Sequence, residues 1–501
     1  MRPIEALLLL ANLLTFVALV VPWLRALGLA GYLAGAAALV AAAQVLLEGY
    51  RWQMVPAYAL TAALLLAWRL RRPAPAGPPV LRAVAYAAAA LGALALVLAV
   101  ALPAILPVFV FPRPSGPHAI GTLTYHWVDE GREDVFTADP DDRRELVVQV
   151  WYPAVDDPSA PRAPYMQDAG ALTTWIAWLL HVRVPGFLSG EFTSVTTNAV
   201  AGAPAARAGG GFPVVVFVEG LSAFRQMNTY QVEELVSHGY VVVGIDQPHV
   251  AASVALPDGR RVVGLPKDEI WPLVAPSLGP VEDPPTLHGR ALAGGIVPYL
   301  AQDVEFALDR VAALDGSDPL LAGRLDLGHV GVIGISMGGV VAPEACRLDP
   351  RFRACLLMEA PVPADVVADG LDQPTLLLIS DAETMRRAGW SPEDIAQHQG
   401  TMRALFEGVR GGGYWVQVRG TYHLNLTDAP LLLGVPLRAL GLLGPIDVGE
   451  AHDIVKAYTV AFFDRHLKGL PAPLLDRPSP YPEVAFESRG PRGVDGTVSL
   501  P

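Results

Sequence analysis

The sequence predicts two unlike parts: a bundle of about four transmembrane helices over residues 1–112, and an α/β domain with a doubly wound, mainly parallel sheet over residues 113–470. Three observations carry this prediction. Charged residues are almost absent from the apolar stretches of the first part. Strand and helix patterns alternate in the second part, where a glycine–serine–glycine turn also joins a strand to a helix. Residues 471–501 are rich in proline and are predicted to form a peripheral tail.

Four apolar stretches lie within the first 112 residues. A helix needs about 20 predominantly apolar residues to cross a bilayer. The first, second and fourth stretches meet this length, whereas the third is short and fits a re-entrant segment as well as a full span. The sequence therefore predicts three or four spans, drawn from residues 4–21, 27–47, 54–68 and 83–111.

Arginines in the connecting loops predict the orientation of these spans. Arg25 lies in the first loop, and Arg69, Arg71, Arg72 and Arg82 lie in the loop before the last span. Loops rich in arginine and lysine tend to remain in the cytoplasm. With three or four spans alike, the arginine-rich loop puts everything after the last span on the other side. The predicted location is the cell membrane, multi-pass, with the large domain on the extracytoplasmic side.

The charge balance and the cysteines limit the possible partners. The chain has 36 Lys and Arg against 49 Asp and Glu, a formal net charge of −13, which opposes binding to nucleic acid. The cysteine and histidine spacing matches no metal site, so the sequence predicts neither a metal nor another cofactor. Cys346 and Cys355 are predicted to be free thiols in the core.

The large domain begins after a stiff, proline-rich linker at residues 111–117. Beyond it, continuous apolar runs typical of strands covered on both faces alternate with helical patterns. Catalytic groups of such a sheet lie just beyond the carboxyl ends of its parallel strands. The predicted strands are residues 146–152, 212–218, 240–246, 330–335, 355–358, 375–379 and 414–418, and the clearest helices are residues 231–238 and 300–314.

Ser336 lies at the apex of the strand–turn–helix segment, with Gly334 before it and Gly338 after it. This spacing is typical of a nucleophile elbow, whose cramped turn leaves no room for side chains at the two glycine positions. The motif alone arises by chance roughly 0.1 to 0.2 times in a chain of this composition. The strand before it and the helix after it make the prediction specific, and Ser336 is the predicted nucleophile of an α/β-hydrolase.

The remaining catalytic groups follow from the chain order serine, acid, histidine of that fold. His423 comes just after the last predicted strand and is the predicted general base. Glu359 and Asp381 each follow a strand, and either carboxylate could orient the imidazole. The backbone N–H groups of Leu221 and Met337 are the predicted oxyanion donors.

These residues resemble the platelet-activating factor acetylhydrolases of the plasma and intracellular type II class and their bacterial relatives. The resemblance extends over residues 116–428. Its two most specific parts are Ala223-Phe224-Arg225 and the histidine loop, which contains Gly420, His423, Asn425 and Asp428. It also includes Val150-Trp151-Tyr152-Pro153, Ser237-His238-Gly239-Tyr240 and Arg351-Phe352-Arg353.

The resemblance implies roles for individual residues. It gives Ser336 as nucleophile, His423 as base, and Leu221 and Met337 as oxyanion donors. It favours Glu359 over Asp381 as the acid, although the family carries aspartate at that position. Two features depart from the family: Glu219 stands where the family has histidine, and the secreted members have no counterpart of the N-terminal helices.

The resemblance implies hydrolysis, without calcium, of the short or oxidised sn-2 acyl ester of phospholipids, whereas the residues alone imply only a serine that attacks an acyl ester or amide. Together with the predicted helices, the expected function is a membrane-anchored serine esterase of this class. The expected partners are a phospholipid or other lipid-like ester substrate and the bilayer. One alternative is a general carboxylesterase or polyester hydrolase of the same fold; another is a non-catalytic, membrane-tethered sensor. Trp175, Trp178 and Leu179 are candidates for an apolar rim that binds acyl chains or the membrane surface; ordinary packing against the sheet is the competing interpretation.

Overall fold

The computed structural model describes residues 1–70, 79–106, 109–167, 169–185 and 195–491. The chain divides into two compact units, one formed mainly by the residues before 110 and the other by the residues after it. Arg71 and Arg72, on which the predicted orientation partly rests, lie outside the described residues, as does the side chain of Arg82.

The first unit is helical. Three of its helices are long and apolar enough to cross a membrane: residues 3–20, 30–47 and 83–105. The segment predicted at 54–68 forms a helix of 15 residues, shorter than a full span. The helices are α1 (Pro3–Val20), α2 (Pro22–Ala26), α3 (Ala30–Leu47), α4 (Val55–Arg69) and α5 (Pro79–Ile105).

Several polar side chains of the first unit are buried and many of its large apolar side chains are exposed, although Leu8, Leu9 and Met54 belong to a small buried cluster. Asn12 is fully buried, and its amide donates a hydrogen bond of 3.0 Å to the carbonyl of Ala57. Glu5 is also fully buried and lies 3.0 Å from the guanidinium of Arg51. By contrast, Leu46 is 83% exposed. Buried polar groups together with exposed leucines are typical of helices surrounded by lipid rather than of a water-soluble bundle.

The second unit is built on one mixed sheet of ten strands. Its six central strands are mutually parallel, and antiparallel strands flank them on both sides. The strands are β1 (Ala119–Glu133), β2 (Arg143–Ala154), β3 (Ala199–Ala201), β4 (Phe212–Val218), β5 (Val241–Asp246), β6 (Ser253–Ala255), β7 (Arg261–Val263), β8 (Thr286–Leu287), β9 (Arg290–Ala291), β10 (Leu325–Ile335), β11 (Phe352–Met358), β12 (Thr375–Ser380), β13 (Gly413–Val418) and β14 (Val484–Arg489). The order across the sheet is β14-β13-β12-β11-β10-β4-β5-β2-β1-β3, and β6–β7 and β8–β9 form two separate small hairpins.

Helices cover both faces of this sheet. Alternate residues of β4 point into two hydrophobic cores: Val214 and Val216 into one, Val215 and Phe217 into the other. Because both faces of β4 are buried, its sequence is a continuous apolar run. The helices are α6 (Ala169–Leu180), α7 (Thr229–Ser237), α8 (Lys267–Leu278), α9 (Val297–Ser317), α10 (Met337–Leu348), α11 (Ala364–Asp369), α12 (Ala382–Arg387), α13 (Pro392–Gly408), α14 (Ala429–Ala439) and α15 (Val448–Lys468).

The α/β architecture and its mainly parallel sheet agree with the sequence analysis, with two differences at the edges. The long strand β1 was not predicted, because its side chains alternate between buried and exposed positions along only part of its length. The sheet also extends past residue 470, since β14 pairs antiparallel with β13. The predicted tail therefore contributes a strand, which supplies β13 with backbone hydrogen-bond partners.

Candidate active site

Ser336 lies at the sharp turn between β10 and α10. Its backbone has φ 56° and ψ −120°, a left-handed conformation that is rare for a residue with a side chain. The neighbouring strand holds this conformation, because the Ser336 N–H donates a 2.9 Å hydrogen bond to the carbonyl of Met358. Such backbone strain is common in nucleophile elbows, where the sharp turn exposes the serine hydroxyl beyond the end of the strand.

The glycines around Ser336 are required by close backbone contacts. A Cβ atom on Gly334 would lie 1.9 Å from the carbonyl oxygen of Gly338. A Cβ atom on Gly338 would lie 2.0 Å from the carbonyl oxygen of Val218, at the end of β4. Both distances are far below van der Waals contact, so only glycine allows the elbow to pack against its own strand and against β4.

The loop after β4 approaches the serine from the other side. A Cβ atom on Gly220 would lie 3.0 Å from the Cβ of Ser336. The loop is a tight turn in which the Ala223 N–H donates to the Gly220 carbonyl at 3.1 Å, and Ser222 has φ 55°. Leu221 lies within this turn and lines the same cavity as Ser336.

Met337 is the other predicted oxyanion donor. It is the first residue of α10, at the end where helical N–H groups have no acceptor within their own helix. Met337 and Leu221 therefore come from two different segments that meet at the serine, an arrangement that suits two N–H groups converging on one oxygen.

His423 and Glu359 lie next to each other beyond the strand ends. His423 Nδ1 is 3.8 Å from Glu359 Oε2, an ion-pair distance. Catalytic hydrogen bonds are often long before substrate binds and tighten with it. The imidazole is about one-third exposed, whereas the carboxylate is buried. His423, Glu359 and Ser336 all line one cavity.

Glu359 is held ionised by its surroundings. Burial alone would raise the pKa of its carboxyl, but the imidazoles of His423 and His398 and the N–H of Ser380 outweigh burial and hold the pKa below its usual value. The Ser380 N–H donates a short hydrogen bond to Oε1, which leaves Oε2 facing His423. A buried, ionised carboxylate beside an imidazole can orient the ring and stabilise imidazolium.

Asp381 has a different local role. It is the N-cap of α12, and its Oδ1 accepts a 2.9 Å hydrogen bond from the Thr384 N–H. The Thr384 hydroxyl donates to its other oxygen, and Asp381 is not among the residues that line the cavity. Of the two candidate acids, the geometry therefore brings only Glu359 to His423.

The cavity has a volume of about 540 Å³ and is rich in tryptophan. Trp175, Trp178 and Leu179, the predicted apolar rim, lie on α6 and line it. Trp175 is also only 2% exposed, so part of this rim packs into the core as the competing interpretation expected.

The cavity residues that the sequence analysis missed include Lys267 and Trp271 on α8, Trp390 before α13, and His398 on α13. His398 is 1% exposed and meets the ring of Trp390 at a centroid distance of 5.6 Å. A signal for its burial was present in the sequence, because His398 continues the helical spacing of the buried residues Ile395, Met402 and Leu405. Lys267 and Trp271 carry no comparable signal.

Two stretches of the chain match a known family. Residues 107–258 and 315–470 match the family described as "Platelet-activating factor acetylhydrolase, isoform II". The two matched stretches contain Ser336, Glu359, His423, Leu221 and Met337. Residues 259–314, which carry Lys267 and Trp271, lie between them.

Individual relatives extend the comparison. The platelet-activating factor acetylhydrolase of Gallus gallus is 23% identical over 383 residues, covering 71% of this chain and 83% of its own. That of Canis lupus familiaris is 26% identical over 377 residues, covering 71% and 77%. The solved structure of a ferulic acid esterase from Streptomyces cinnamoneus is 31% identical and superposes with a TM-score of 0.58, covering 74% of this chain and 97% of the esterase.

Proposed function

This chain belongs to the platelet-activating factor acetylhydrolase isoform II family, and on that premise we propose that it hydrolyses carboxylic esters with Ser336 as nucleophile, His423 as general base and Glu359 as the orienting acid. The relatives, which are acetylhydrolases and an esterase, support an ester hydrolase. The observation that carries the residue assignment is the meeting of the strained Ser336 turn, His423 and the buried Glu359 in one cavity.

The proposed mechanism follows from these positions. The hydroxyl oxygen of Ser336 attacks the ester carbonyl carbon while the imidazole of His423 takes the hydroxyl proton. Glu359 stabilises the resulting imidazolium. The N–H groups of Leu221 and Met337 bind the oxyanion, and His423 then protonates the leaving alcohol, which leaves an acyl-enzyme. Water, activated by the same imidazole, releases the acid and restores Ser336.

The proposed substrate is a phospholipid with a short or oxidised sn-2 acyl ester. The family membership supports this class, as does an apolar wall formed by Trp175, Trp178 and Leu179 that suits an acyl or alkyl chain. Lys267 stands 5.7 Å from the ring centroid of Trp271 in the same lining, where an ammonium group would attract a phosphate.

A second candidate substrate is an ester of an aromatic acid. Trp175, Trp178, Trp271 and Trp390 all line the cavity, and flat rings pair well with a planar aromatic acyl group. The esterase that is 31% identical is described as a ferulic acid esterase. Of these four tryptophans, Trp271 lies between the matched family stretches, whereas the other three lie within them.

A comparison of three substrates tests the proposal. The purified, detergent-solubilised chain is given a short-acyl phospholipid, a ferulate ester and a water-soluble short-chain ester, and kcat/KM is measured for each. We expect the phospholipid to have the highest value. A higher value for the ferulate ester would favour the second candidate, and preference for the soluble ester would favour a general carboxylesterase.

The same assay tests the role of the tryptophans that line the cavity, Trp175, Trp178, Trp271 and Trp390. Trp271→Ala is expected to lower kcat/KM for the preferred substrate roughly tenfold, since it removes an aromatic contact and the apolar area of a large side chain. The control is Val263→Ala, because Val263 is 52% exposed and lies in β7, away from the cavity lining. Equal effects of the two changes would contradict a role of Trp271 in binding.

We propose further that the first unit spans the cell membrane several times and that the hydrolase domain lies on the extracytoplasmic side. Three sufficiently long apolar helices, buried polar groups and exposed leucines support the anchor. The arginine-rich loop before the last span supports the orientation. The full chain is expected to remain with the membrane pellet after an alkaline carbonate wash, and a protease added outside intact cells is expected to cleave the hydrolase domain. Release by the wash would contradict the anchor, and protection from the protease would contradict the orientation.

A further inference from the structure

Glu219 is a buried acid beside the proposed oxyanion loop. It follows the last residue of β4 and precedes Gly220, whose backbone packs against Ser336. Its own carbonyl oxygen would be 2.8 Å from a Cβ on Gly338, so its backbone touches the elbow as well. The residue is 5% exposed, and neither carboxyl oxygen has a hydrogen-bond partner among the described residues.

Two more buried carboxyls share this region. Asp246, at the end of β5, is 2% exposed, and Asp428, just before α14, is fully buried. Both act on Glu219 by charge repulsion. Arg225 is paired with Asp246. The phenols of Tyr165 and Tyr230, which are neutral groups, also interact with Glu219. Lys267, His423 and Glu359 line the same cavity as Glu219.

The partners of the three acids decide which of them carries a charge. Asp246 has a guanidinium beside it and also accepts a 2.6 Å hydrogen bond from the Arg225 N–H. Asp428 accepts hydrogen bonds from the N–H groups of Thr229 at 2.8 Å and Tyr230 at 3.2 Å, and these bonds offset only part of the rise that burial causes in the pKa of its carboxyl. Among the described residues, Glu219 has no paired cation, and the N–H of Gly220 lies near its carboxyl without forming a hydrogen bond to either oxygen. An isolated buried carboxylate is strongly disfavoured, so a proton is best placed on Glu219.

We propose that Glu219 is held as a neutral carboxylic acid in the working enzyme, and that its ionisation as the pH rises places a negative charge next to the oxyanion loop and slows ester hydrolysis. This inference rests on the proposed function for its catalytic consequence. The neutral state of Glu219 is argued from its burial and its charged neighbours and does not depend on the proposed function. Burial, followed by the charges of Asp246 and Asp428, raises the pKa of Glu219 well above 4.5, and the nearby N–H of Gly220 opposes this only in part.

The charge of Glu219 determines whether it opposes the formation of the oxyanion. The oxyanion that forms on the substrate is stabilised by the N–H groups of Leu221 and Met337, and losing one such donor typically costs about 10²–10³ in rate. A carboxylate one residue from Gly220 would repel the same oxyanion. A neutral carboxyl adds no net charge, so it leaves the donors effective.

A pH–rate profile of the full chain in detergent tests the catalytic part. For the wild type, we expect kcat/KM on a water-soluble ester to fall on the alkaline side by about tenfold or more, after correction for spontaneous hydrolysis. Glu219→Gln keeps the shape without the titration, and its profile is expected to stay flat, within about threefold, over the same range. Glu219→Met is a second variant that also removes the ionisation. An unchanged alkaline fall in both variants would overturn the proposal.

Thermal unfolding measured against pH tests the electrostatic part without any turnover. Because the pKa of Glu219 is raised in the folded state, its contribution to stability is full below about pH 4.5 and is lost as the pH rises towards the folded pKa. The midpoint of wild-type unfolding is therefore expected to fall relative to Glu219→Gln as the pH rises above 4.5. A constant difference would overturn the proposal, whereas a chain that hydrolyses no ester would overturn only the proposed function.

Discussion

Replacing Ser336 by alanine is expected to lower kcat for ester hydrolysis by about 10⁴–10⁶-fold, since loss of the nucleophile of a serine triad leaves only the contribution of the oxyanion donors and substrate binding. The same change is expected to abolish covalent labelling by a fluorophosphonate. The fold should survive, because alanine and serine meet the same steric restriction at φ 56° and the Ser336 N–H bond to Met358 is a backbone contact.

Ser317→Ala is the matched control for this experiment. Ser317 ends α9, is exposed, and donates its hydroxyl to the carbonyl of Ala313 at 2.7 Å, far in the sequence from the elbow. Its labelling and turnover should equal those of the wild type. Labelling that persists in Ser336→Ala would assign the nucleophile to another residue. A wild-type chain that neither labels nor turns over would favour the non-catalytic, membrane-tethered sensor.

The elbow was predictable because local chemistry dictates it. Gly334 and Gly338 are the residues that the close approach of two backbones allows, and the apolar run before Ser336 is a strand buried on both faces. His423 was predictable from chain order, as it follows the last parallel strand, β13, at the edge where the serine also lies. The signal for the elbow lies within about ten residues of the chain, and that for His423 in the order of the strands.

The rest of the cavity depends on contacts between distant segments. Trp271 and Lys267 reach the site from the chain between β7 and β8, a region with no strand or motif that ties it to the serine. The protonation of Glu219 likewise depends on Asp246 and Asp428, which are 27 and 209 positions away in the sequence. Neither arrangement can be derived from periodicity or spacing, because both are set by tertiary packing.

The choice between the two candidate acids, Glu359 and Asp381, was only partly predictable from the sequence. Glu359 and Asp381 both follow a strand of the parallel sheet, which is why the order of residues alone left them open. The sequence did contain a distinguishing signal: Asp381 directly precedes a helix with Glu383 in its first turn, and aspartate is a favoured N-cap residue. Glu359, by contrast, starts no helix and has φ 50°, an unusual conformation that turns its side chain towards His423.

Paired amide substitutions are expected to separate the two carboxylates by a large factor. Glu359→Gln removes the charge that fixes the tautomer of His423 and stabilises imidazolium, and loss of this charge in a serine triad costs about 10⁴ in kcat. Asp381→Asn makes the same chemical change at the cap of α12, where asparagine is as good an N-cap as aspartate, so kcat should stay within about threefold of the wild type.

Stability measurements complete this comparison. Asp381→Ala removes the cap acceptor and should lower the free energy of unfolding by about 1 kcal/mol while leaving kcat near the wild-type value. Glu359→Gln should keep the hydrogen bond from the Ser380 N–H through its amide oxygen, so the chain should remain folded. If Asp381→Asn instead caused the 10⁴-fold loss and Glu359→Gln left turnover intact, the acid would be Asp381, and the ion pair between His423 and Glu359 would be structural. The expected opposite result follows from one distance, 3.8 Å between the imidazole and a buried carboxylate whose other oxygen is already fixed by Ser380.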